Sequence, residues 1–391
     1  MRLTLASPAA ASVQPASFRS RSGPSLRRVM RAATLPRCLN AMGVDGTMGC
    51  VLQKSASCHA PIRLGVLGTG RVVTYGLLQP SRQMLGMEVR SVASRSPERA
   101  RAFATANGIP HAFGCYEDLL TDDSINAVYI ALPPALHSHW THRAIEMGKH
   151  VLCEKPLGVN AEGVQQAIRH AEQTDLVLQE AMHIRQSRLL RRGKEILASK
   201  ALGAPLQVGS YFRHPDVPMK PDDFRLDYEL GGGACLDFGC YAVAGVRYVL
   251  GEEPSVISAR CECIAPQVDR WMQAKVKFPS GANGTIECGF RGSFSVLFGL
   301  TVKCEQGSMT LDLQSGLTYT TGVQAVREPN PGDWTYKLEL EEFARRACGH
   351  RSSMLPESDP VGTARVLDAM YESAGLAPRC EMASNDIDRC V

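Results

Sequence analysis

Residues 61–80 read PIRLGVLGTGRVVTYGLLQP. Ile62 to Leu67 is a short apolar run that ends at Gly68, as a buried strand does. Gly68-Thr69-Gly70 makes a tight turn, and a helix is expected from about Arg71 to Leu78. A strand, a Gly-x-Gly turn and a helix in that order bring free backbone N–H groups to one point, where a pyrophosphate fits. The third glycine of the usual dinucleotide fingerprint is replaced by Val73. The turn alone is therefore a weak signal, and the residues after it decide the fold.

They repeat the pattern. MEVRSVASR (87–95) reads as a second strand, and SPERARAFATANG (96–108) as a helix with Ser96 as N-cap, Pro97 in its first turn and Asn107-Gly108 closing it. CYEDLLTDDS (115–124) carries a short helix. INAVYIALPP (125–134) is most apolar from Val128 to Leu132, as a central parallel strand is. HSHWTHRAIEMGK (137–149) is helical, HVLCEKP (150–156) a strand, AEGVQQAIRHAEQTD (161–175) a helix and LVLQEAM (176–182) a last strand. This alternation predicts an α/β, doubly wound parallel sheet of the Rossmann type over 61–183. Beyond it come strand-like runs at 205–213, 255–265, 271–279, 284–290, 297–305 and 308–313, then a helix pair at 336–348 and 359–375. These predict an α+β second domain over 184–377 with an open, mostly antiparallel sheet. Its outer face is expected to be apolar and to pair with a copy of the chain, giving a homodimer or homotetramer. Residues 378–391 read as a tail.

The 391 residues are 44% hydrophobic and 21% charged, a balance suited to a soluble enzyme or binding protein, and no run of about 18 apolar residues suggests a membrane span. The net charge of +4 is uneven: residues 1–60 hold eight bases against Asp45 alone, and the other 331 residues carry 35 bases and 38 acids. No nucleic-acid footprint follows for the body. The basic, Ser- and Ala-rich segment 1–60 reads as an organellar targeting peptide, plastid ahead of mitochondrion; a disordered tail would leave the chain cytoplasmic. The fourteen cysteines contain no Cys-x-x-Cys pair, and Cys261 and Cys263 have no metal-ligand partners at suitable spacing, so no metal site is expected.

Gly68, Thr69, Gly70, Arg71 and Val72 are the candidate pyrophosphate-side residues. The second strand ends Ala93-Ser94-Arg95-Ser96, without the acid that usually bonds an NAD ribose. Ser94 and Arg95, with Arg99 as a helper, suit a 2′-phosphate instead. NADP is expected over NAD; Arg95 otherwise stacks on adenine or points to solvent.

Gly68-Thr69-Gly70, Leu132-Pro133-Pro134 with His137, GKHVLCEKPLG (148–158) and FRLDYELGGGACLDFGCYAV (224–243) stand in the order and spacing of one family. The chain resembles the glucose-fructose oxidoreductase / inositol dehydrogenase superfamily over about residues 61–377. Tyr241, four residues after Asp237, resembles the branch holding dihydrodiol dehydrogenase and NADP-dependent xylose dehydrogenase. QEAMHIRQSR (179–188) keeps Arg185 but has Ile184 where that branch shows Tyr, and lacks its His-Pro. The resemblance implies that Leu132, Pro133, His137, Glu154, Lys155 and Arg185 lie along the cofactor. It implies hydride transfer on a sugar, cyclitol or cyclic diol, with Lys155, Asp237 and Tyr241 as catalytic residues. Residue chemistry allows this: an ammonium polarises a substrate oxygen, and a carboxylate and a phenol four apart on a helix face one way. A free phenol titrates near ~10, so Tyr241 is expected to need Lys155 beside it. Pro156 restricts Lys155 to extended geometry and allows a cis bond. The GGG at 231–233 is expected to be a flexible substrate-side loop. A catalytically silent NADP(H)-binding sensor or scaffold is the alternative from another class.

Overall fold

A computed structural model describes residues 61–214, 219–290, 297–350, 359–382 and 387. The basic segment 1–60 and its targeting expectation lie outside these residues. Strands β1 (Ile62–Leu67), β2 (Met87–Ala93), β3 (His111–Phe113), β4 (Ala127–Ile130), β5 (His150–Glu154) and β6 (Leu178–Ala181) form a parallel sheet in the order β3-β2-β1-β4-β5-β6. The order reverses between β1 and β4, which opens a ligand crevice at the carboxyl ends of these strands. All four residues of β4 are buried, as a strand with helices on both faces requires. β3 is only three residues long and largely exposed, so it has no apolar run to announce it.

The capping signals work as read. The Ser96 hydroxyl accepts from the Arg99 N–H at 3.1 Å, and Gly108 closes the helix Pro97–Asn107 in the left-handed region. The helix after the glycine turn is π-wound over Val73–Leu78 before an α-turn, Gln79–Ser81.

The second sheet contains β7 (Pro205–Arg213), β8 (Ser255–Ala265), β9 (Val268–Lys277), β10 (Asn283–Gly289), β11 (Leu297–Cys304), β12 (Gly307–Asp312), β13 (Gly316–Thr321) and β14 (Gln324–Glu328). Their order is β14-β13-β12-β11-β7-β10-β9-β8, antiparallel except for the β7–β10 pair. β13 and β14 go unread in the sequence because their residues, GLTYTT and QAVRE, are mostly polar. Period-two alternation turns Val208, Phe212, Met272, Ala274, Ile286, Phe298 and Leu300 inward, against the buried helix Cys240–Leu250.

The same alternation overturns the expected apolar outer face. One cross-strand row there runs Arg260, Gln273, Glu287, Tyr211, and a second runs Lys275, Thr285, Gly209, Thr301. Arg260 donates to Gln273 at 2.9 Å, Gln273 donates to Glu287 at 3.1 Å, and Arg213 pairs with Glu287 at 2.9 Å. Arg213 also lies over the Tyr211 ring and Arg260 over Trp271.

The closing helices do not stay with the second sheet. Leu340 and Phe343 of Thr335–Ala347 join the core of Leu64, Val66 and Tyr129 on the first sheet. Helix Asp359–Ser373 divides its apolar residues: Val361 and Ala364 pack on the first sheet's core, and Val366, Leu367 and Met370 on the second's. A boundary near residue 183 therefore separates the sheets but not the cores. Residues 378–382 are also no tail. The buried Arg379 guanidinium lies between the rings of Tyr228 and Tyr371 and donates to the Gln267 carbonyl at 2.9 Å.

Candidate active site

The glycine turn is shaped by a close approach. Gly68 has φ +100°, and a Cβ there would stand 2.5 Å from the Ala131 carbonyl oxygen at the end of β4. At Gly70 the nearest atom to such a Cβ is that same oxygen at 3.8 Å, so space is open above the helix start. An open floor of glycine backbone before a helix N-terminus fits the pyrophosphate of a dinucleotide. Ser94 is buried at the end of β2 and Arg95 beside it is exposed, so a charged side chain stands at the rim where the adenosine end would lie. Gly68→Ala is expected to weaken NADPH binding roughly 5- to 150-fold, because positive φ and the clash with Ala131 together cost about 1–3 kcal/mol. A fluorescence titration of NADPH measures it, with the thermal melt as a control for folding.

Lys155 follows directly on β5, and the Lys155–Pro156 bond is cis. Its Nζ donates to the Asp237 carbonyl at 2.7 Å and to Asp237 Oδ1 at 2.6 Å. The other carboxylate oxygen, Oδ2, accepts from Arg225 Nε at 2.6 Å. Asp237 comes from a π-wound turn, Cys235–Gly239, that leads into the helix Cys240–Leu250. Both helices bordering the site thus widen at the point of use, as π-turns in functional sites do. Burial pushes the Asp237 carboxyl up, but the Lys155 and Arg225 charges outweigh it and hold it at about 2. Burial pulls the Lys155 ammonium down, yet Asp237, Cys240 and Glu154 outweigh that and raise it above its ordinary value. The pair is therefore carboxylate and ammonium at neutral pH.

Tyr241 lies 4.8 Å under the same Nζ, measured to its ring centroid. Asp237 and Tyr241 thus both turn to Lys155, as their spacing predicts. The expected consequence for the phenol does not follow. Burial holds the Tyr241 hydroxyl well above its ordinary value, with Tyr336, Glu154, Cys240 and Asp237 adding to it. The ammonium sits over the ring face, and its charge is already shared with Asp237. Tyr241 is therefore a protonated phenol at neutral pH.

Rings continue from Tyr241 in both directions. Phe212 stacks on it at 5.0 Å and on Phe238 at 4.9 Å, and Phe238 stacks on His214 at 5.1 Å. On the other side His183 meets Tyr241 edge-on at 5.5 Å and stacks on Tyr336 at 4.0 Å, and Tyr336 meets Tyr75 at 5.6 Å. His183 Nδ1 is 2.8 Å from the Thr335 hydroxyl. Burial, then the Lys155 charge, lower its imidazole to about 3, so it is neutral.

The remaining expected residues take supporting positions. Glu154 is buried and accepts from the Tyr129 hydroxyl; burial raises its carboxyl. His137 is wholly buried, with Nδ1 2.8 Å from the Pro156 carbonyl and Nε2 2.8 Å from the Leu132 carbonyl. It joins the Leu132-Pro133 turn to the loop behind Lys155, and burial lowers it to about 4. The Arg185 guanidinium pairs with Glu180 at 2.9 Å and Asp359 at 2.5 Å. It links β6 to the helix Asp359–Ser373, which differs from the cofactor contact expected of it.

Arg225, His183, Tyr336 and Tyr75 are not singled out by the sequence. His183 stands at the carboxyl end of β6, a position that marks ligand contacts in such sheets and is legible in principle. Tyr336 lies on a helix about 180 residues downstream of β5, and no spacing rule reaches it.

A dinucleotide crevice beside a buried Lys–Asp pair and a tyrosine defines a nicotinamide-type oxidoreductase. Residues 62–182 match the oxidoreductase family with NAD-binding Rossmann fold, GFO_IDH_MocA, and residues 190–310 match the GFO/IDH/MocA C-terminal domain. A D-xylose 1-dehydrogenase (NADP(+)) of Haloferax volcanii is 34% identical over 326 residues, covering 81% of this chain and 99% of that protein. A trans-1,2-dihydrobenzene-1,2-diol dehydrogenase of Xenopus laevis is 34% identical over 200 residues, covering 50% of this chain and 59% of that one. A solved 3-ketoreductase from Actinomadura kijaniata, in complex with NADP and TDP-benzene, superposes with TM-score 0.73 at 23% identity, over 80% of this chain and 98% of that one. The chain belongs to the GFO/IDH/MocA oxidoreductase family.

Proposed function

We propose that the chain is an NADP(H)-dependent oxidoreductase acting on a hydroxyl or carbonyl of a sugar, cyclitol or cyclic diol. The observation that carries this reading is the Lys155 ammonium, 2.6 Å from Asp237 Oδ1 and 4.8 Å over the Tyr241 ring, at the carboxyl edge of the first sheet. NADP, held along Gly68–Val72 with its 2′-phosphate at Ser94 and Arg95, supplies hydride acceptance and donation when bound. Lys155 and Tyr241 hold the substrate oxygen between an ammonium and a phenol and carry its proton. Asp237 keeps the ammonium charged and aimed. The aromatic wall from Phe238 to Tyr75 suits the C–H face of a ring substrate. The names of the Haloferax and Xenopus relatives support this substrate range.

The test is NADP+ reduction by the full chain with aldoses, inositols and trans-diols. Turnover on one class supports the reading; tight NADPH binding without turnover on any favours a silent sensor. Arg95→Ala is expected to raise KM for NADP+ by roughly 10- to 100-fold and leave KM for NAD+ nearly unchanged, since a hydrogen bond to a charged group is worth about 1.5–3 kcal/mol. An equal effect on both cofactors would remove Arg95 from the phosphate.

A further inference from the structure

Asp237 has two carboxylate oxygens, and each is committed to a different cation. Oδ1 meets Lys155, and Oδ2 meets Arg225 Nε at the same distance of 2.6 Å. Arg225 is itself fixed from three sides. Its Nη1 donates to Asp223 Oδ1 at 3.2 Å, its guanidinium lies 4.5 Å over the Phe224 ring, and its backbone N–H donates to Asp223 Oδ1 at 3.1 Å. The 3-10 turn Phe224–Leu226 that carries it is seated by the glycine run. Gly232 N–H donates to the Asp227 carbonyl at 2.7 Å and Gly233 N–H to the Arg225 carbonyl at 3.1 Å. A Cβ on Gly232 would stand 2.6–2.7 Å from the carbonyl oxygens of Phe224, Arg225 and Asp227. A Cβ on Gly233, at φ +117°, would stand 2.2 Å from Asp269 Oδ1. These glycines are a hydrogen-bonded seat rather than the flexible loop their composition suggests.

We propose that Arg225 is the positioning residue of this site: it fixes Asp237 so that one carboxylate oxygen alone serves Lys155, and Gly232 and Gly233 are glycine because only then can the turn deliver it. The proposal rests on the reading of Lys155 and Asp237 as the working pair. An unheld carboxylate would rotate about its Cβ–Cγ bond and offer the ammonium either oxygen. Held by Arg225, it keeps Nζ in one place over Tyr241. The Arg225 charge also bears on the pair electrostatically. Among the described residues, the other charged or titratable groups that bear on it are Asp223, Glu154, His137, His183, Cys240, Tyr75 and Tyr241. Removing a cation from this group makes protons harder to lose, so the pKa values of Asp237 and Lys155 both rise.

The experiment compares Arg225→Gln and Arg225→Lys with the wild type and Lys155→Ala, reading kcat, KM for substrate and cofactor, and the pH profile of kcat/KM. Arg225→Gln is expected to lower kcat about tenfold or more, leave the NADPH dissociation constant unchanged, and move the whole profile to higher pH. Arg225→Lys restores the charge and is expected to return the profile toward wild type. Wild-type kcat and profile in Arg225→Gln, with Lys155→Ala inactive, overturn the proposal while leaving the working pair intact. Equal losses in both Arg225 variants with an unmoved profile overturn it too, reducing Arg225 to packing. An active Lys155→Ala would instead remove the reading on which it stands.

Discussion

Lys155→Ala is expected to lower turnover by about a thousandfold while the NADPH dissociation constant changes less than about threefold. The size follows from general acid–base catalysis, typically worth 10²–10⁴, together with the loss of a charge placed at the substrate oxygen. Cofactor binding is spared because the pyrophosphate floor is the backbone of Gly68–Gly70 after β1, whereas the Lys155 Nζ is engaged with Asp237. The variant leaves the Asp237 carboxylate buried with Arg225 as its remaining cation, so some loss of stability accompanies it. Steady-state rates and a fluorescence titration on the same preparation separate the two effects. Turnover within tenfold of wild type would take Lys155 out of the chemistry. The wild type carries a related expectation for direction. Lys155 holds its proton more firmly than usual. A group that must accept a proton works better as pH rises, and one that must donate works better as pH falls. Oxidation is therefore expected to speed up through the alkaline range and reduction to slow.

Tyr241→Phe removes one oxygen and keeps the ring. The stack with Phe212 and the edge contact with His183 need no hydroxyl, so the fold and the ammonium–ring contact persist. Turnover is expected to fall about a hundredfold, with the thermal midpoint within a few degrees of wild type. Because the phenol is held neutral by burial, its contribution is donation to the substrate oxygen, and the loss is expected to be similar across neutral pH. A phenolate mechanism would make the loss strongly pH-dependent, which a profile from pH 6 to 10 distinguishes. Full turnover in the variant would leave Lys155 as the sole proton carrier.

The readable parts of the site are those that sit in one short segment with their structural cause. Gly68 is forced by the Ala131 carbonyl three strands on in sequence, yet its strand–turn–helix setting announces it. Lys155 is legible because a strand must end where it stands, and the Asp237–Tyr241 spacing is legible because a helix turns both toward one partner. The pairing of Asp237 with Lys155 joins residues 82 apart and rests in the sequence on family likeness. The ionisation of Tyr241 is misjudged there because burial and the division of the Lys155 charge are properties of three-dimensional surroundings.

The sequence by itself determined the doubly wound sheet, its cofactor turn, the caps of its helices and the alternating strands of the second sheet. Each of these depends on periodicity or on residues within a few positions of each other. Only the tertiary structure decided that the outer face is a polar ladder, since which side of a strand meets water depends on where the buried helix Cys240–Leu250 lies. It alone decided that the last helices return to the first sheet and that Arg379 is locked between two rings. It also decided that Arg225 holds Asp237 through a glycine seat. Contacts between distant segments are fixed by packing, and packing has no period along the chain.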